Sequence, residues 1–239
     1  MNKFRVFLVG LALTFGLPWF FLLIVPTLQM SRLAPLPVYE LDENGQKVIG
    51  EDGKGNIVSY YPPLSSGSKT KGEEIYVREG CAQCHSQLIR DPRVAMDSYK
   101  REWGSVFDSM APLQTRPTNQ RDYLAGHYPV LGIRRLGGDL SNVAYRYGSR
   151  EQMHLMIYDS RIAQPSSIMP PYRFLYKTRK IEGNGPSVRA LALTGDLAPE
   201  PGYEVIPTGD AEALVDYLMA LKKNYTDPSK PVVADAEAK

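Results

Sequence analysis

Positions Val6 to Val25 run for 20 residues without a charge and are almost all apolar. As a helix rising about 1.5 Å per residue, that run covers roughly 30 Å, the thickness of a bilayer core. Lys3 and Arg5 precede it and Arg32 is the next charge. The positive-inside bias therefore predicts a cytoplasmic N-terminus, with the rest of the chain on the other side. Trp19, Phe20 and Phe21 fall toward the outer end, where aromatic rings suit the interface, and Pro18 predicts a kink that a membrane span tolerates. A cleaved signal peptide has a shorter apolar run, about 7–15 residues, followed by a small-residue cleavage site. Neither stands out around Pro26–Met30, so the pattern predicts an uncleaved anchor over residues 1–30.

Beyond the anchor the pattern shortens. Residues 31–69 read as a linker, stiffened by Pro35 and Pro37. It carries two β-like stretches, Val38–Leu41 and Asn56–Tyr60, broken by turn signals at Asn44-Gly45 and Asp52-Gly53. That combination predicts a small β-hairpin. From Lys71 the spacing turns helical, with acids early and a base late, and it leads into Cys81. Residues 90–135 show no long period and predict irregular chain with short helices. Ser149–Tyr158 reads as a helix with Ser149 as its N-cap. Residues 161–173 form a proline-bounded loop, and 178–208 a polar excursion rich in Gly and Pro. A last helix runs from Ala211 to Lys223. Its apolar stripe is Ala213, Leu214, Tyr217, Leu218 and Leu221, and Lys222 and Lys223 close its final turn. The fold class is mainly α, with one domain over 70–225 and a disordered tail over 226–239.

Composition narrows the function. With 43% hydrophobic and 23% charged residues, the 239-residue chain is neither disordered nor polytopic. A net charge of +2 supplies no basic field for nucleic acid. Two cysteines and three histidines exclude a disulfide scaffold and any site needing many such ligands.

Both cysteines fall in one run, Cys81-Ala82-Gln83-Cys84-His85. On a helical turn, residues i and i+3 share a face, so both thiols reach the two vinyl groups of one haem, and the adjacent His85 supplies an axial ligand. Covalent attachment as haem c keeps the cofactor on an exported protein. A thioredoxin-like pair needs a βαβ setting that is missing here. A structural zinc site needs four ligands, and His127 and His154 stand at no finger-like spacing. A disulfide across two residues leaves His85 unexplained.

A closed electron-transfer haem needs a second axial ligand. Met169 is the candidate, in the proline-framed loop Pro165-Ser166-Ser167-Ile168-Met169-Pro170-Pro171. Met153 and Met156 read as core packing, Met96 and Met110 lack a rigid frame, and His127 and His154 read as a loop and a helix-face residue. Arg134 and Arg135 are candidates for pairing with haem propionates, against the plainer reading of a solvated basic surface. The segment from Arg134 to Leu140 is also the candidate source of a carbonyl for the second ring nitrogen of His85.

The helix before Cys81 and the closing helix resemble those of the class I cytochrome c fold. The wider sequence is more specific. Ile75-Tyr76-Val77-Arg78-Glu79-Gly80-Cys81 and Cys84-His85-Ser86-Gln87-Leu88-Ile89-Arg90 resemble the monohaem cytochrome c subunit (FixO/CcoO, subunit II) of cbb3-type haem–copper oxidases. So do Arg134-Arg135-Leu136-Gly137-Gly138-Asp139-Leu140 and Ile168-Met169-Pro170-Pro171-Tyr172. The resemblance implies haem attachment at Cys81 and Cys84, with His85 and Met169 as axial ligands. It implies a catalytic haem–copper subunit and a di-haem cytochrome c subunit as partners. It also places the chain in a bacterial inner membrane, with its haem domain periplasmic. Such cytochromes usually have Gly-Pro where this chain has Gly137-Gly138; Gly138 still offers its carbonyl to His85. An iron closed on both faces binds no substrate, so no catalytic residue is assigned. The rival readings are a free-standing anchored electron carrier and a haem sensor or small-molecule enzyme with an open iron position.

Overall fold

The computed structural model describes residues 2–223, apart from 41, 44–45, 51–52, 64–66, 92, 98–115, 127–128 and 184. Met110, His127, both expected hairpin turns in part, and the tail after residue 223 lie outside the described residues.

The apolar N-terminus is one continuous helix of 29 residues, Lys3–Ser31, long and apolar enough to cross a membrane. It consists of α1 (Lys3–Trp19), a π-helical segment (Phe20–Ile24) and α2 (Val25–Ser31). The Asn2 side chain caps it, accepting from the Phe4 N–H at 3.3 Å. Pro18 and Pro26 each remove a backbone donor and crowd the carbonyl four residues back. The π segment lies between them, so the expected disturbance is spread over a wider turn. No side chain of this helix is buried.

The linker forms the expected hairpin. β1 (Leu36–Tyr39) pairs antiparallel with β2 (Ile57–Tyr61), with Val38 opposite Ser59 and a register shift between Val38 and Tyr39. The intervening chain is ordered by a bridge between Ile49 and Gly55 and by bonds from Val48 N to Glu40 O and from Asn56 N to Val48 O, both 2.9 Å. Tyr61 is the buried end of the hairpin, and its hydroxyl donates to Asp122, itself held by Arg116.

Two helices carry the remaining core. α3 (Ser68–Arg78) starts three residues before the expected Lys71, and α6 (Gly209–Met219) packs across it. Gly72 makes this crossing possible: a Cβ there would stand 2.0 Å from the Ala213 carbonyl oxygen and 2.7 Å from Tyr217 Cβ. The rings of Tyr76 and Tyr217 meet at 5.4 Å, and Ile75, Leu214, Val215 and Leu218 are buried around them. Polar pairs staple both ends of the crossing. Lys71 and Arg78 reach Asp210, at 2.6 and 3.0 Å, and Ser68 reaches Asp216.

α4 (Val143–Arg146) and α5 (Arg150–Tyr158) pack on α6, with Ser149 capping α5 through the Gln152 N–H at 3.2 Å. Thr208 caps α6 by accepting from the Ala211 N–H at 3.3 Å.

Two expectations need correction. α6 ends at Met219 rather than at Lys223. The chain leaves the helix to bond residues 141–144, with Lys223 N donating to Ser141 O at 3.1 Å and Ala144 N to Leu221 O at 3.5 Å. The 178–208 excursion is not free of secondary structure. β3 (Tyr176–Lys180) pairs antiparallel with β4 (Tyr203–Pro207), with Thr178 opposite Val205. Val205 and Glu204 are buried, and Glu204 is held by Arg179 at 2.7 Å.

Gly72→Ala forces a methyl into the Ala213 carbonyl. Overpacking of this kind costs about 3 kcal/mol, which lowers the melting temperature of the holoprotein by roughly 6–12 °C in a chain of this size. Thermal unfolding followed by circular dichroism checks it.

Candidate functional site

After α3 the chain turns at Gly80 into a single 3₁₀ turn, Cys81–Gln83. Residues three apart eclipse each other on such a turn. Cys84 N and His85 N both donate to Cys81 O, at 3.1 and 3.0 Å, so the turn sets Cys81, Cys84 and His85 together. Both thiols are free and partly buried. Burial in apolar surroundings pushes the Cys81 thiol up to about 11, so it is a neutral thiol at physiological pH.

Residues 82–87, on both sides of His85, lie beside the segment 131–140 in a ladder of backbone bonds. Ile133 N donates to Ala82 O (2.8 Å), Leu136 N and Gly137 N to Cys84 O (3.0 and 2.9 Å), Gln87 N to Leu131 O (3.0 Å) and Leu140 N to Ser86 O (2.8 Å). The ladder brings the Gly138 carbonyl to His85 Nδ1 at 2.8 Å. A carbonyl only accepts, so Nδ1 carries the proton and Nε2 keeps its lone pair. Burial lowers the His85 pKa, opposed by the Gly138 bond, and the ring is a neutral imidazole. The fit is close. A Cβ on Gly137 would stand 2.3 Å from His85 Cε1 and 2.7 Å from Nδ1.

Two adjoining cavities flank this imidazole. One is lined by Cys81, Cys84, His85, Leu136, Met169 and Tyr172, among others. The other runs inward past Tyr76, Leu140, Met153, Ile157, Leu214 and Leu218. Cys81, His85, Met169 and Tyr172 line both, so the two form one apolar slot. Met169 arrives on a tied loop: its N–H donates to Ser167 Oγ at 3.3 Å, and Ser160 Oγ donates to Ser167 Oγ at 2.8 Å. Tyr172 N closes the loop on Ile157 O at 3.1 Å. At its base Asp159 binds Arg161 and Arg173, and these partners hold its carboxyl well below the usual range.

Of the residues singled out from the sequence, Cys81, Cys84, His85 and Met169 therefore face one slot, and Gly138 abuts the imidazole. Arg134 is exposed and lines neither cavity. Arg135 does not line them either. Its guanidinium binds Asp97 at 2.8 Å and also the Leu88 carbonyl, so it clamps the ladder rather than facing the slot. Asp97 also accepts three bonds from Arg90, at 2.9, 3.0 and 2.9 Å. His154 is a core residue, with Nδ1 at 3.1 Å from the Tyr176 hydroxyl and Nε2 at 3.5 Å from Glu212. Met153 is buried in the slot wall. Sequence reasoning missed Asp97, which stands in no motif; Gly137, Asp139 and Tyr172 stood in the quoted motifs but without a role of their own.

The donor set suits an iron porphyrin. An apolar slot, a neutral imidazole with a free Nε2, a thioether and two thiols outside any disulfide on one turn are what a covalently attached haem requires. Among the described residues no group of three or more His, Cys, Asp or Glu gathers as a metal cage.

Comparison with known proteins points the same way. The family model described as cytochrome c oxidase, mono-haem subunit/FixO matches residues 55–193, more than half of the chain. No curated protein matches it. The match runs from β2 through the ladder and the Met169 loop, and stops before β4 and α6.

Asp97 gives the clamp a pH signature. Burial alone would raise its pKa from 3.8, but the bonds from Arg90 and Arg135 outweigh burial and hold it at about 2. A depressed carboxyl stabilises the fold fully above its unfolded value, and that contribution disappears as pH falls from about 4 to about 2. Asp97→Asn should cost roughly 2 kcal/mol at pH 7. The gap from the parent protein should close toward pH 2 in urea unfolding at pH 7, 4 and 2.

Proposed function

The chain belongs to the mono-haem subunit/FixO family of cytochrome c oxidases, and from that premise we propose that it is a membrane-anchored relay. It passes single electrons to the catalytic haem–copper subunit of a cbb3-type oxidase. The family implies one haem. We assign its thioether links to Cys81 and Cys84 and its axial ligands to His85 and Met169. The convergence of these four side chains on one apolar slot is the observation that carries the reading.

When bound, the haem supplies a reversible one-electron iron couple. The chain's own residues supply the rest. The 3₁₀ turn presents the thiols, the Gly138 carbonyl fixes the tautomer and orientation of His85, and the tied 159–172 loop holds the Met169 sulfur in place. Leu214, Leu218, Met153 and Ile157 keep water from the inner side of the slot. A low dielectric there favours the less charged reduced pair, and a thioether ligand does the same.

The class I cytochrome c arrangement is proposed for 70–225, with α3 and α6 as its crossing helices and 31–69 as the linker and hairpin. The Lys3–Ser31 helix is the single span, with its N-terminus cytoplasmic and the haem domain periplasmic in a bacterial inner membrane. Lys3 and Arg5 before the span support that orientation. The donor is a di-haem cytochrome c subunit of the same complex.

Three measurements test this. Intact-protein mass spectrometry under denaturing conditions should show one haem retained, and Cys81→Ala with Cys84→Ala should abolish that adduct. Reduced Met169→Ala should bind carbon monoxide, whereas the reduced parent protein should not; an unchanged spectrum overturns the ligand assignment. In mild detergent the chain should co-purify with a large haem–copper subunit, and isolation as a lone carrier beside a fully active oxidase overturns the relay.

A further inference from the structure

The Gly138 carbonyl that orients His85 sits in a gap between two bonds of the ladder. Gly137 N is anchored to Cys84 O and Leu140 N to Ser86 O. Between those two bonds lies the 138–139 peptide, with two successive glycines before it and no ladder bond of its own. One side chain constrains it. Asp139 is 1% exposed, and both of its carboxylate oxygens are in use. Oδ2 accepts from Ser86 Oγ at 2.7 Å and from Leu88 N at 2.8 Å, and Oδ1 accepts from Ser141 N at 2.8 Å. Its main-chain carbonyl accepts from Arg146. Ser86 and Leu88 follow His85 directly, and Asp139 follows Gly138. The carboxylate therefore staples the two segments together at the point where the carbonyl meets Nδ1.

We infer that Asp139 is a positioning residue for His85: its three accepted hydrogen bonds hold the Gly138 carbonyl on the imidazole and so set the donor strength of Nε2. This rests on the proposed haem ligation. The chemistry is specific to a carboxylate. Two backbone N–H groups point at two different oxygens, and an amide has one oxygen, so asparagine turns an NH₂ onto the Leu88 or the Ser141 N–H. A firm Nδ1–H···O=C bond raises the basicity of the other ring nitrogen. A more basic imidazole favours the oxidised iron, so a loosened staple raises the midpoint potential.

The test uses the full-length anchored, haem-loaded chain in detergent. Parent, Ser86→Ala and Asp139→Asn proteins are compared by redox titration, by the electron paramagnetic resonance g-values of the oxidised haem, and by thermal melting. Ser86→Ala changes no charge and should raise the midpoint potential and shift the g-values, with haem content unchanged. Asp139→Asn should move both further in the same direction. Lower melting temperatures with unmoved potentials and g-values make Asp139 merely structural and overturn the inference. A shift in Asp139→Asn without one in Ser86→Ala assigns the effect to the lost charge and also overturns it. Should Asp139→Asn fail to fold, Ser86→Ala decides by the same readouts. A parent protein without haem defeats the ligation reading and this inference together; a haem-loaded parent with unmoved variants defeats the inference alone.

Discussion

The backbone ladder between residues 82–87 and 131–140 is the constraint on which the rest of the site depends. The two thiols and the imidazole sit on a short turn that has little rigidity of its own, since a single 3₁₀ turn offers few internal bonds. Rigidity comes from outside the turn. Five backbone hydrogen bonds tie it and the residues just after it to a segment some fifty residues further on. The Arg90–Asp97–Arg135 cluster and the Asp139 carboxylate both fasten that segment at Leu88, Arg135 through its carbonyl and Asp139 through its N–H. Because Gly137 has no side chain, the two backbones close until a carbonyl reaches the ring.

The α3–α6 crossing plays the complementary part. It sets where the apolar wall of the slot stands relative to the turn, because Tyr76, Leu214 and Leu218 belong to both the crossing and the slot. The ion pairs of Asp210 with Lys71 and Arg78 add direction more than energy, since partly exposed pairs contribute little. The burial of Ile75, Leu214, Val215 and Leu218 carries the stabilisation.

Local signals in the sequence were legible where one element decided the outcome. The apolar run gave the long helix, Ser149 the start of α5, the 3.6-residue stripe the buried face of α6, and the C-x-x-C-H run the reacting turn. Features that need two distant segments were not legible. Arg135 read as a propionate partner because Asp97 lies 38 residues away and has no motif. β3 read as loop because Tyr176 alone among its five residues is buried, the other four being polar and exposed. The end of α6 was misplaced because Lys222 and Lys223 look like a helix C-terminus, whereas the pull of residues 141–144 decides where the chain departs.

The α3–α6 crossing also bears on synthesis. Translation runs from the N-terminus, so Cys81 and Cys84 emerge more than a hundred residues ahead of Leu214 and Leu218, which complete the inner wall of the slot. Until α6 is made and docks on Gly72, the thiols face an unfinished, open trough. The inner wall of the slot is therefore complete only when the last helix has closed on α3.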